Sequence, residues 1–310
     1  MTADSTTARR RKIFRLLKLV FGLSIIIFWG ILVRHYWDEL LVREWSLDRG
    51  LAGVVTLAFC VYHLGLAIGW AFIVKAMGYR SPASRASAIW LLSMPARYIP
   101  GNLWHIVTRV RMSAGHKIPA EGVLASSTVE QALTVLSATF LGLAWLPILA
   151  DDWWTGWTFA FLLACLFILQ PPVLQYMLRL ASRLLGKPMA PFTLDYRHII
   201  SIFLWYTLVN AANGAAFAFL VAATTPVSQA QLPWLVSAYC LAYVIGYVSF
   251  LTPSGIGVRE VALASMMALY MPMSLALTFG LIARLLSIAG EALAVLLVGL
   301  PLSWRPRLGL

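Results

Sequence analysis

Ser249-Phe250-Leu251-Thr252-Pro253-Ser254-Gly255-Ile256-Gly257-Val258-Arg259-Glu260 interrupts a long apolar run. A Pro-Ser-Gly-x-Gly break cannot continue a helix, because proline removes a backbone donor and glycine leaves the backbone unrestrained. An Arg-Glu pair follows at once, in surroundings where charge is costly. An earlier stretch, Arg97-Tyr98-Ile99-Pro100-Gly101-Asn102, has the same character. Together the two breaks predict the substrate region of a membrane transporter.

Around these breaks the composition is that of an integral membrane protein. Of 310 residues, 61% are hydrophobic and 12% charged, about half the charged share of a soluble domain. Mean hydropathy is +0.81. Several runs of about 18 residues or more, long enough to span, are almost free of charge. The net charge of +12 comes from Lys and Arg concentrated in short loops between apolar runs. That is the positive-inside pattern, so lipid headgroups rather than nucleic acid are the expected partners. Cys60, Cys165 and Cys240 each lie in an apolar run and are expected to pack, without disulfide, metal site or cofactor. No paired-Cys motif, H-E-x-x-H, Walker loop or G-x-S-x-G is present, so no enzyme activity is expected. Transport driven by ATP would need a separate partner.

Charge and apolar runs predict a topology. Residues 1–18 form a basic cytoplasmic tail, and 19–49 a first span (Leu19 to Val33) with an amphipathic outer segment. Leu51–Val74 returns the chain inside. Ala86–Val110 is flanked by basic residues at both ends (Lys75, Arg80 and Arg85; Arg109, Arg111 and Lys117), which predicts a broken re-entrant hairpin with arms near Ala88–Ile99 and Leu103–Met112. Gly122–Leu149 and Trp153–Met177 are spans, the latter with Pro171-Pro172 near its inner end. A basic loop leads to the span Ile199–Ala223. Trp234–Thr252 and Val258–Met271 form the second broken segment, either re-entrant or two full spans. Ser274–Leu300 closes the bundle, and 301–310 is a cytoplasmic tail. The fold class is thus an all-α polytopic membrane protein with about six spanning helices plus two broken hairpins, or up to eight spans.

The halves 50–149 and 199–300, joined by 150–198, read as copies. Pro119 lies 19 residues after Pro100, and Pro272 lies 19 after Pro253. Glu130 and Arg284 follow the two breaks by 30 and 31 residues. Each half reads span, broken hairpin, proline, span with a buried charge. The first hairpin enters from the cytoplasm and the second from outside, which makes an inverted repeat.

Helix ends inside a membrane expose unpaired N–H groups and a positive dipole end. Pro100, Gly101 and Asn102 with Arg97, and Pro253, Ser254, Gly255 and Gly257 with Arg259, would suit a phosphate or carboxylate. The alternative is a proline kink with a snorkelling arginine. Glu130, Glu260, Arg284 and Glu291 must face inward and pair, either as a register-fixing network or as a gate or headgroup site. Glu130 and Arg284 are deep enough to meet, and the Arg259-Glu260 pair can form a structural ion pair with Arg284 or Glu291 nearby. His105 stands beside the first break. His63 reads as a packing residue, and Asn210 and Asn213 as cavity lining or cross-helix hydrogen bonds.

Pro253-Ser254-Gly255-Ile256-Gly257-Val258-Arg259-Glu260 resembles the flippase-like family typified by the transmembrane region of lysylphosphatidylglycerol synthetases, whose mark is Pro-Gly-Gly-x-Gly-x-Arg-Glu. Arg97 to Asn102 resembles that family's earlier Arg-x-x-Pro-Gly stretch, and Glu130-Gln131 its Glu-Arg pair. Ser254 and Gln131 depart from the pattern. The resemblance implies a prokaryotic cell (inner) membrane protein with cytoplasmic termini. It further implies a lone module, without the aminoacyl-transferase domain of some relatives, that moves an anionic phospholipid or polyprenyl-phosphate-linked sugar between leaflets. A homo-oligomer or a pathway transferase is an open partner. Alternatives are a membrane-embedded transferase with Glu130 or Glu260 as base, and a non-transporting scaffold.

Overall fold

The computed structural model describes residues 34, 48–99, 103–144, 156, 160, 163–164, 167–186, 194–249 and 255–301. The two tails, the first span, most of the outer segment, Cys165, and the break residues Pro100, Gly101, Asn102, Pro253 and Ser254 lie outside them. Among the described residues there are nine α-helices and no strand. They are α1 (Arg49–Ala76), α2 (Ala83–Ser93), α3 (Trp104–Ser113), α4 (Ala120–Ala144), α5 (Pro171–Leu185), α6 (Tyr196–Thr224), α7 (Gln231–Val248), α8 (Val258–Met267) and α9 (Met273–Ala294). A 3₁₀ turn, Met94–Tyr98, extends α2, and a π turn, Val295–Gly299, extends α9.

Local chemistry sets the ends of α1. The Asp48 carboxylate accepts from the Leu51 N–H at 2.6 Å, capping the N-terminus. At the other end Gly78 takes φ +85°. The Tyr79 and Gly78 N–H groups bond back to the carbonyls of Val74 and Lys75, a Schellman closure. Along the helix Val54, Leu57, Val61, Ile68 and Phe72 form an exposed apolar stripe, while His63 is buried. Elsewhere Ser126, Ser127, Glu130, Thr134 and Ser137 of α4 and Asn210 and Asn213 of α6 are also buried. Polar groups inside and large apolar groups outside are what a lipid solvent selects.

Four helices are long and apolar enough to cross a membrane by length and composition: α1, α6, α7 and α9 with its π turn. The predicted spans Leu51–Val74, Ile199–Ala223 and Ser274–Leu300 match three of them within a few residues. In the first broken segment α3 coincides with the predicted arm Leu103–Met112 to within one residue, and α2 with its 3₁₀ turn covers most of Ala88–Ile99 from an earlier start. Helices α2 and α3 have 11 and 10 residues, about 15 Å each, half a hydrocarbon core. The second segment is unequal, with 18 residues in α7 and 10 in α8. The predicted span Trp153–Met177 is corrected. The chain bends at Leu169-Gln170, and Pro171-Pro172 begin the separate helix α5, where their missing N–H groups cost nothing.

Helices α1 and α6 run antiparallel at the centre. Gly65 packs on Val209 and Gly69 on the Tyr206 ring. One apolar cluster joins the later part of α1 to the start of α6, and a second joins the start of α1 to the end of α6. Helix α1 also packs on α9, and α6 on α4; α1 carries α2, and α6 carries α7.

At the α1–α9 crossing the backbones nearly touch. A Cβ on Gly290 would lie 2.8 Å from the Thr56 carbonyl oxygen and the Cys60 nitrogen. Neither can yield, so Gly290→Ala is expected to cost about 1–3 kcal/mol through overpacking. Gly53, with nothing within 4 Å of its Cβ position, is the control. Gly53→Ala should stabilise α1 by about 0.5–1 kcal/mol. Unfolding midpoints in detergent check both.

Candidate functional site

A cavity of about 170 Å³ opens between the two broken segments. The first half contributes Tyr62, His63, Trp90, Met94, Arg97, Tyr98, His105, Glu130 and Gln131. The second contributes Tyr243, Gly246, Tyr247, Gly255, Arg259 and Arg284. Arg97, His105, Glu130, Gly255, Arg259 and Arg284, which sequence reasoning singled out, therefore share one wall-to-wall space. Among the described residues no group of three or more His, Cys, Asp or Glu is arranged to hold a metal. Cys60 and Cys240 are buried and free.

The charges in and around this space are held differently. Arg109 of α3 is 0% exposed and Glu130 of α4 is 2% exposed. The Arg109 Nη1 donates to Glu130 Oε2 at 2.5 Å and to Ser127 Oγ at 3.0 Å. Trp90 Nε1 donates to Glu130 Oε1 at 2.6 Å. The guanidinium lies over Trp70, 4.7 Å from the ring centroid. This corrects two expectations. Arg109 is not a loop charge marking the cytoplasmic side, and Glu130 does not pair with Arg284 although both line the cavity. The signal for Arg109 was its i, i+4 spacing from His105, which puts both on one face of α3.

Glu291 of α9 reaches the first break. Arg97 Nη2 and the Tyr98 hydroxyl, the latter at 2.9 Å, both donate to its Oε2. Arg97 retains 23% side-chain exposure, so it serves both the pair and the cavity. Glu260 of α8 stands behind the wall. Its Oε2 accepts from the Gly257 N–H at 2.7 Å, and its Oε1 lies 3.9 Å from Arg284 Nη1. Neither Glu260 nor Glu291 is among the lining residues. The start of α8 is therefore stabilised by its own carboxylate, and the Gly257 N–H is already used. That backbone group is therefore not open to a ligand.

Arg259 differs from the other three arginines. Its guanidinium stacks on Tyr239 at 4.6 Å and faces Tyr243 at 5.7 Å. Among the described residues no carboxylate lies within ion-pair distance of it, whereas Arg97, Arg109 and Arg284 each have one. Gly255 makes the placement. It has φ +68°, and a Cβ there would meet the Gly246 carbonyl at 2.8 Å. Gly246 in turn backs directly onto the Arg259 Cβ. The two glycines let α7 and the start of α8 close up, so Arg259 emerges beside the tyrosines of α7. Tyr239, Tyr243 and Tyr247 sit at i, i+4 and i+8, a stripe visible in the sequence but not read there as lining.

Of the remaining candidates, His105 lines the cavity, and its Nδ1 has no hydrogen-bond partner among the described residues. Asn210 bonds across helices, to Ser137 Oγ at 2.8 Å and the Thr134 carbonyl at 3.3 Å. His63 is buried and also lines the cavity, so packing does not exhaust its role.

Fold and site define a multi-pass, all-α membrane protein with a cavity lined by Arg97, Arg259 and Arg284 between two helix breaks. Residues 15–295 match the family described as lysylphosphatidylglycerol synthase TM region, and the chain belongs to that family of lipid-related membrane proteins. No curated protein matches the chain.

Proposed function

We propose that this protein moves an anionic phospholipid or a polyprenyl-phosphate-linked sugar between leaflets of the prokaryotic cell membrane. The carrying observation is the charge balance of the site. Four arginines (Arg97, Arg109, Arg259 and Arg284) face three carboxylates (Glu130, Glu260 and Glu291), and Arg259 is the cation without a carboxylate among the described residues. One uncompensated positive charge at membrane depth is costly unless an anion completes it. The volume supports the same reading. At about 170 Å³ the cavity is below the ~300–1,000 Å³ of sites that enclose whole ligands. A headgroup enters while the tails stay in the bilayer.

The halves work as inverted copies in this reading, with the breaks after α2 and after α7 meeting from opposite sides and both termini in the cytoplasm. The antiparallel α1–α6 contact supports it, because equivalent helices of inverted copies must run in opposite directions. The corresponding packing of α9 on α1 and α4 on α6 supports it too. A transferase is less well supported. Both Glu130 oxygens and both Glu260 oxygens are engaged by protein donors or cations, leaving neither poised as a base.

Reconstituted protein should translocate a fluorescent phosphatidylglycerol analogue faster than its phosphatidylcholine counterpart, and both comparisons should exceed empty vesicles. Equal rates for the two headgroups would overturn the anionic assignment. Rates equal to empty vesicles across a broad panel, including lipid-linked sugars, would overturn transport itself.

A further inference from the structure

Resting on the anionic-headgroup reading, we infer that His63 and Glu291 form a proton-binding site whose occupation transfers Arg97 from Glu291 to the lipid phosphate. The tautomer of His63 starts the argument. Its Nδ1 lies 2.8 Å from the Phe59 carbonyl oxygen, which only accepts, so Nδ1 carries the hydrogen. The unprotonated Nε2 then faces Glu291 Oε2 at 3.8 Å. At 3.8 Å no hydrogen bond joins them, and one added proton turns two mutually unfavourable acceptors into a donor and an acceptor that attract.

Glu291 has room for that proton. It is 3% exposed, and its Oε1 has no hydrogen-bond partner among the described residues. Its polar neighbours are His63 of α1 and Arg97 and Tyr98 of the 3₁₀ turn, while Tyr62 of α1, Tyr243 of α7, Arg259 of α8 and Arg284 of α9 line the cavity beside them. Of these, Arg97 is held by Glu291 through a carboxylate charge that a proton removes. The guanidinium keeps its own charge and is already part-exposed to the cavity. When a proton enters from water and a phosphate monoanion enters from the leaflet, the net charge of the cavity is unchanged. Proton and anion therefore promote each other's binding by linkage. Arg97 belongs to the first broken segment and Glu291 to the last long helix, so the exchange also unlatches one half from the other.

The test uses the full chain in weakly buffered detergent with a pH indicator. Addition of short-chain phosphatidylglycerol should take up about one proton per bound lipid, and phosphatidylcholine should take up none. Glu291→Gln, which mimics the protonated carboxyl, should bind phosphatidylglycerol at least as tightly as the native protein, with no proton uptake and no pH dependence. His63→Gln should weaken uptake severalfold while binding persists, and it carries the test if Glu291→Gln does not fold. Phosphatidylglycerol binding without proton uptake overturns the inference and leaves the anionic reading standing. Unchanged uptake in either variant, or equal uptake with phosphatidylcholine, also overturns it. Failure of phosphatidylglycerol to bind at all overturns both.

Discussion

Arg109→Met is expected to destabilise the protein by about 3–5 kcal/mol, the cost of leaving one member of a buried ion pair without its partner. The reason is the completeness of the burial. Arg109 is sealed between α2, α4 and Trp70, and Glu130 receives donors only from Arg109 and Trp90 among the described residues. With the guanidinium gone, a 2% exposed carboxylate is left without its cation. Glu130→Gln alone should cost less, because the amide oxygen still accepts from Trp90 and the arginine keeps Ser127 and the Trp70 face. The double variant Arg109→Met/Glu130→Gln should recover more than half of the loss, since no unpaired charge remains. Unfolding midpoints of the four proteins in detergent form a double-mutant cycle. An unaltered midpoint for Arg109→Met would show that the pair does not hold α3 against α4.

Arg259→Gln should lower the rate for anionic lipid by about 10- to 100-fold, the equivalent of one hydrogen bond to a charged group at ~1.5–3 kcal/mol, while the unfolding midpoint changes little. Stability is spared because Arg259 leaves no ionised partner behind among the described residues. That separates it from Arg109, whose loss is read mainly as lost stability. Arg259→Lys should retain part of the rate. Lysine keeps the charge and a cation–π contact with Tyr239 but loses the planar fork that grips two phosphate oxygens. Translocation of charged and neutral lipid analogues by the three proteins decides it. Full activity in Arg259→Gln would remove Arg259 from the site.

The helices were legible because their cause is local and one-dimensional. Apolar runs near Leu51–Val74, Ile199–Ala223 and Ser274–Leu300 bury backbone donors in lipid only as helices. The observed ends differ from the runs by at most three residues, and at α1 Asp48 and Gly78 set them. The breaks were legible for the same reason, since glycine and proline act on their own backbone. Arg109 was misplaced because hydropathy and loop charge treat an arginine beside Arg111 as another cytoplasmic marker. Only the i, i+4 face of α3, turned toward α4, distinguishes the buried one from its neighbour. The bend before Pro171 was missed because an apolar run was allowed to continue through two prolines.

The sequence by itself determined that this chain is an all-α membrane protein, where its helices break, and that a handful of charges must lie inside it. Those are consequences of composition and backbone chemistry acted on by lipid. Which charges pair was decided only in three dimensions. Glu130 takes Arg109, Glu260 takes Arg284, and Glu291 takes Arg97 from nearly two hundred positions away. Pairing depends on which helix faces meet, and the close approach of α1 to α9 at Gly290 and of α7 to α8 at Gly246 and Gly255 sets those faces. The same packing leaves Arg259 on its tyrosines, the position to which the proposed function assigns the anion.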